Sequence, residues 1–140
     1  MLCQQEAAQL RSIIPQIHEA DAQLIIIGNG TAQQAQWFLE ETGLDTPVYT
    51  DPDLHVYRAI GARRGLRSVL HPMVFVRALE AWRKGHRQSG TMGDATQVGG
   101  LLIIQPDGTI PFLHRSSYAG DTPTAATILG ALNKTRVAAV

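Results

Sequence analysis

Gln23-Leu24-Ile25-Ile26-Ile27-Gly28 is the stretch that decides the fold. Its four consecutive apolar residues, three of them β-branched, read as a strand buried on both faces, as in a parallel sheet covered by helices. Asn29-Gly30 turns the chain. Thr31 with Gln34 forms a capping box, in which the Thr hydroxyl accepts from the third helical N–H and the Gln side chain reaches back. Ala35, Phe38 and Leu39 supply the apolar stripe of the helix that follows, and Gly43 fits its stop. Pro47-Val48-Tyr49-Thr50 reads as a short second strand.

Upstream of this unit, Cys3 to Ala20 has helical periodicity. Ala7, Leu10, Ile14 and Ile17 recur every three or four residues. Pro15 sits inside the stripe and cannot donate to the carbonyl of Arg11, so a kink is expected there. Downstream, Asp51-Pro52-Asp53 is a turn signal, and Leu54 to Ile60 is a short helix ended by Gly61. A further helix has Pro72 in its first turn, Phe75, Leu79 and Trp82 on one side, Arg83 and Lys84 in its last turn and Gly85 beyond. His86 to Gln97 reads as a loop. Gly99 to Gln105 contains the apolar run Leu101-Leu102-Ile103-Ile104. The turn Pro106-Asp107-Gly108 joins it to an extended Thr109 to His114, giving an antiparallel hairpin. Thr122 is expected to cap a last helix with Pro123 at its first position and Ile128, Leu129 and Leu132 as its stripe. The order α-β-α-β-α-α-β-β-α shows no internal repeat and no dividing linker, so residues 1–140 read as a single domain.

The composition agrees. Of 140 residues, 44% are apolar and 17% charged, a globular balance. The 12 basic and 12 acidic side chains cancel, which argues against a nucleic-acid partner. Arg63-Arg64-Gly65-Leu66-Arg67 is the only basic cluster and reads as a solvated loop. No apolar stretch reaches the ~20 residues that span a bilayer, so no membrane partner is expected. One cysteine rules out an internal disulfide framework and suits a reducing compartment; the cytoplasm is the expected location.

Four segments resemble the peroxiredoxin-like branch of the AhpC/TSA antioxidant family. They are Leu2-Cys3-Gln4-Gln5-Glu6-Ala7-Ala8; Thr50-Asp51-Pro52-Asp53 with Tyr57-Arg58-Ala59-Ile60-Gly61; Gly93-Asp94 and Gln97-Val98-Gly99-Gly100 leading to Pro106-Asp107-Gly108; and His114-Arg115-Ser116 with Gly120-Asp121-Thr122-Pro123. The resemblance implies an α/β, thioredoxin-like three-layer sandwich with a mixed central sheet. It also implies a chain truncated at its N-terminus, without the first strand and without the first cysteine of the family's C-x-x-C. The Pro-x-x-x-Thr-x-x-Cys loop of typical peroxiredoxins is absent too.

Cys3 stands where the family places its nucleophile, at the start of the first helix. A thiolate there gains from free N–H groups and the positive dipole end; the alternative is a small buried hydrophobe. With no second cysteine, an oxidised Cys3 needs an external thiol reductant. Arg115 is the candidate helper, able to stabilise a thiolate and orient a peroxide oxygen, against a plain surface arginine at a strand end. Gln97-Val98-Gly99-Gly100 is either a peptide edge facing Cys3 or a tight strand entry. Gly28-Asn29-Gly30-Thr31 lacks the third glycine of a dinucleotide loop and reads as an ordinary turn, so no cofactor is expected. Asp51, Asp53 and His55 share a turn, and His18, His71 and His86 are scattered; no metal is expected. The resulting function is a thiol-dependent redox protein, peroxidase or disulfide reductase. The alternative is a non-catalytic thioredoxin-fold module that binds a partner or dimerises.

The absent first strand has a topological consequence. In a thioredoxin sheet it lies between the Gln23–Gly28 strand and the Gly100–Gln105 strand. Without it, two apolar strands expose unpaired edges. The expectations are direct pairing of Ile25–Ile27 with Leu101–Ile104, a second chain covering the edge in a homodimer, or a longer natural protein.

Overall fold

Helix α1 spans Leu2–Glu19 in the computed structural model, which describes residues 2–62, 64, 72–83 and 96–138. Pro15 lies within the helix without ending it. The buried line runs through Ala7, Ile13 and Ile17. The expected stripe ran through Ile14, which is only half-buried. Ile13 lies one turn from Ile17 on the same face, and that face meets the rest of the fold.

Strand β1 (Ile26–Gly28), helix α2 (Ala32–Thr42) and strand β2 (Val48–Thr50) follow, with β1 and β2 parallel and Ile27 opposite Tyr49. The capping box is as read from the sequence: Gln34 N donates to Thr31 Oγ1 at 3.3 Å and Thr31 N to Gln34 Oε1 at 2.9 Å. Gly43 ends α2 at φ 62°, with its N–H on the Leu39 carbonyl. The expectation of a doubly buried strand is not met. Ile25 is 49%, Ile27 38% and Tyr49 58% exposed, so one face of this ribbon is open.

Helices α3 (His55–Ala59) and α4 (Pro72–Arg83) lead to the hairpin of β3 (Gly100–Ile103) and β4 (Phe112–Arg115), and then to α5 (Ala125–Ala138). On α4, Phe75 and Leu79 face solvent. Trp82's side chain, Lys84, Gly85 and residues 86–95 lie outside the described parts. The antiparallel register sets Gly100 against Arg115 and Ile103 against Phe112, so pairing starts later than Thr109. Gly108 turns the hairpin at φ 87°. Gly100 is a close approach: a Cβ there would sit 2.5 Å from the His114 carbonyl oxygen. Gly100→Ala is therefore expected to cost about 1–3 kcal/mol through overpacking, read as a lower denaturant midpoint with an unchanged slope.

The last helix is capped by Thr124 rather than Thr122. Thr127 N donates to Thr124 Oγ1 at 3.2 Å, and Ile128 N to the Thr124 carbonyl at 3.0 Å. Pro123 precedes the helix, and the Thr122 hydroxyl is engaged elsewhere.

Among the described residues the strands form two separate two-stranded sheets, not one mixed sheet. The expected direct pairing of Ile25–Ile27 with Leu101–Ile104 does not occur. Ile26 N bonds Pro47 O at 3.0 Å and Asp51 N bonds Gly28 O at 2.7 Å, so Ile26 and Gly28 face β2. Strand alternation then turns the backbone groups of Ile27 to the other edge. There the Tyr57 hydroxyl of α3 donates to the Ile27 carbonyl at 3.0 Å. What joins the two ribbons is the helical layer. Ile13 and Ile17 of α1 cluster with Ile128 of α5, and both Leu24, beside β1, and Leu101, in β3, pack on that cluster.

Candidate functional site

Cys3 is the second residue of α1, within the turn whose N–H groups have no helical acceptor. Its side chain lies outside the described parts of the structure. One turn on, Glu6 is tied across the fold. The Thr122 hydroxyl donates to Glu6 Oε1 at 2.5 Å, and Gln9 Nε2 donates to the Pro123 carbonyl at 2.8 Å. Burial pushes the Glu6 carboxyl above its ordinary range, and the Thr122 hydrogen bond offsets part of that rise.

The loop that carries Thr122 is itself organised. Ser116 Oγ donates to the Asp121 carbonyl at 2.7 Å, and Ser117 N to Asp121 Oδ2 at 2.7 Å. His114 Nε2 lies 3.1 Å from that carbonyl and 3.5 Å from Asp121 Oδ1. Gly120, at φ 85°, makes the bend. The first and last of the four sequence segments singled out above thus meet in one polar network at the start of α1. From sequence, Glu6 has no expected role and Thr122 is expected as a helix cap; the structure instead joins the two. The available signal was the three-residue spacing from Cys3 to Glu6, which marks one helix face.

Arg115 has a different setting. Its Nε donates to the Ile60 carbonyl at 2.5 Å, and Gly61, at φ 69°, lies beneath the side chain. The arginine thus links the end of β4 to the end of α3. At Gln97-Val98-Gly99-Gly100, Gln97 bridges to Arg64, Val98 is buried and Ser116 N donates to the Gly99 carbonyl at 3.1 Å. Those contacts are those of a tight strand entry.

Asp51 is buried beneath α3 and accepts His55 N at 2.9 Å and Val56 N at 2.7 Å. Desolvation alone would raise its pKa, but the backbone N–H groups of His55, Val56 and Tyr57 together outweigh it and hold the carboxyl below its ordinary range. Asp53 and His55 are exposed and 4.0 Å apart. Among the described residues no three His, Cys, Asp or Glu side chains converge as a metal site would require. A carboxyl with a depressed folded pKa stabilises the fold above its unfolded value and loses that contribution as pH falls through the folded one. Stability should therefore decline as pH drops below about 3.8, the ordinary Asp value. Asp107, held down by the backbone and hydroxyl of Thr109, adds to the same slope. Urea midpoints at stepped pH should show a shallower acid loss for Asp51→Asn than for the unsubstituted protein.

A sequence signature described as AhpC/TSA antioxidant enzyme matches residues 9–117. Arg115 falls inside that match, whereas Cys3, Glu6 and Thr122 fall outside it. The chain is 30% identical to the thioredoxin-like protein AAED1, chloroplastic, of Arabidopsis thaliana, over 94% of this chain and 56% of that one. It is 31% identical to peroxiredoxin-like 2C of Mus musculus and 30% to that of Homo sapiens, each over 71% of this chain and 48% of the relative. The chain thus spans about half the length of the curated relatives it matches. No solved structure gives a significant match.

Proposed function

Because this chain belongs to the AhpC/TSA antioxidant-enzyme family, we propose that it is a thiol-dependent redox protein, a peroxiredoxin-like peroxidase or disulfide reductase with Cys3 as its nucleophile. The α/β content, the small sheets and the family together imply a thioredoxin-like fold. The observation that carries the proposal is the position of Cys3 in the first turn of an 18-residue helix. A thiolate at that end of so long a helix is favoured by the free N–H groups and the dipole.

The reaction needs no second cysteine. The Cys3 thiolate attacks one peroxide oxygen, the O–O bond breaks, and the leaving oxygen takes a proton to become an alcohol or water. Cys3 is left as a sulfenic acid. One external thiol then condenses with it, releasing water and forming a mixed disulfide. A second external thiol attacks that disulfide, returns the Cys3 thiol and departs as a disulfide of the reductant. Arg115 enters the proposal as an electrostatic helper to the thiolate. A reducing compartment such as the cytoplasm suits this cycle.

Alkylation rate against pH tests the nucleophile directly. The Cys3 midpoint is expected below the free-thiol value of about 8.5. A midpoint at or above that value would sink the proposal. A second reading is favoured by one observation, the open face of Ile25, Ile27 and Tyr49 with the exposed Ile104 nearby in sequence to β3. On that reading the chain is a thioredoxin-fold module whose apolar surface meets a partner or a second copy, and its solution mass would exceed that of the monomer.

A further inference from the structure

Three features converge at the start of α1 that the redox proposal leaves without a role: Glu6, Gln9 and the bend around Asp121 and Thr122. Glu6 and Thr122 are far apart in sequence, yet the hydroxyl closes on the carboxyl at 2.5 Å. Gln9, three residues further along the helix, closes on the Pro123 carbonyl at 2.8 Å. The two bonds hold the second turn of α1 at two points along a single loop. That loop is braced in turn by Ser116, Ser117 and His114 around Asp121. A free-standing helix terminus frays, because its first N–H groups have no intrahelical partner. Here the terminus is clamped from the side, and Cys3 occupies the turn immediately before the clamp.

We propose that Glu6, through Thr122, is a positioning residue for Cys3: the pair fixes α1 one turn beyond Cys3 against the 116–123 loop and so holds the helix end on which Cys3 stands. The inference rests on the reading of Cys3 as the nucleophile. Burial raises the pKa of the Glu6 carboxyl above its ordinary range, and its oxygen accepts from Thr122. Asp121 and His114 are the other titratable groups braced into this loop, and their own contacts run between β4 and the bend rather than to Glu6.

The test compares Thr122→Val with Thr122→Ser and Glu6→Gln in the full chain. The readouts are Cys3 alkylation by iodoacetamide against pH, and the thermal midpoint. Thr122→Val should slow alkylation at neutral pH by about three- to tenfold, the range of one net hydrogen bond, and shift the Cys3 midpoint upward. Thr122→Ser and Glu6→Gln each rebuild the bond and should recover most of that loss. A pair that serves stability alone would lower the melting temperature of Thr122→Val and leave the alkylation midpoint of the folded protein unmoved, and that result overturns the inference. If Thr122→Val does not fold, Thr122→Ala removes the hydroxyl without adding a branched apolar group, and the same comparison decides. An unsubstituted Cys3 with an ordinary free-thiol midpoint defeats the nucleophile reading and this inference together. A reactive Cys3 whose midpoint ignores Thr122 defeats the inference alone.

Discussion

Cys3→Ser should reduce thiol-dependent consumption of peroxide, and of a small disulfide, to the rate without protein. The sequence contains one cysteine, so no other side chain can form the sulfenic acid or mixed disulfide that the proposed cycle requires. Serine preserves the size and leaves the first turn of α1 intact, so the loss should come without a change in the melting curve. The effect is close to all-or-none because a hydroxyl, with a pKa far above that of a thiol, offers almost no anion at neutral pH. Intact mass after mild peroxide treatment gives the complementary reading. The unsubstituted protein should gain an adduct of the added thiol or a disulfide to a second copy, both reversed by excess thiol, and Cys3→Ser should gain neither. Turnover that survives the substitution would hand the chain to the non-catalytic reading.

Local signals in the sequence translated directly into structure. The Thr31–Gln34 box and the Gly43 stop are decided by residues within a dozen positions of one another, and each formed as read. The hairpin around Asp107-Gly108 likewise follows from turn chemistry. The errors lie where distant segments compete. Thr122 has the composition of a helix cap, but a carboxyl 116 positions away claimed its hydroxyl, and Thr124 took the cap. The run Leu24 to Ile27 has the composition of a strand covered on both sides. Coverage of each face depends on neighbours that the run itself does not specify, and here one face stayed open. Arg115 is a different case: its Nε donates to the Ile60 carbonyl, a backbone atom that no residue pattern advertises, while its role beside the thiolate stays part of the proposal. For the site itself, the sequence pointed to the helix start and to the Gly120–Pro123 segment separately. Only the folded chain brings the two together.

Ile17→Ala is expected to be a costly substitution in the helical layer. No strand pairing joins the two ribbons among the described residues, and the apolar cluster is packed on from both of them. Ile17 is 5% exposed and shares the cluster with Ile13 and Ile128, while Leu24 and Leu101 approach from the two ribbons. Truncation to Ala removes three methyl or methylene carbons from a site lined by rigid elements, which relax only partly, and the expected loss is about 2–5 kcal/mol. The domain's whole stability is of order 5–15 kcal/mol, so the loss is a large fraction of it. Ile14→Ala is the control. Ile14 is half-buried beside the same line, and its truncation should cost clearly less. Urea unfolding followed by tryptophan fluorescence and by far-ultraviolet circular dichroism separates two outcomes. Coincident curves at a lower midpoint mean that the cluster stabilises one cooperative unit. Divergent curves for Ile17→Ala mean that the ribbons have come apart before the helices melt. An Ile17→Ala midpoint equal to that of Ile14→Ala would show that the attachment of the ribbons lies elsewhere than in this cluster.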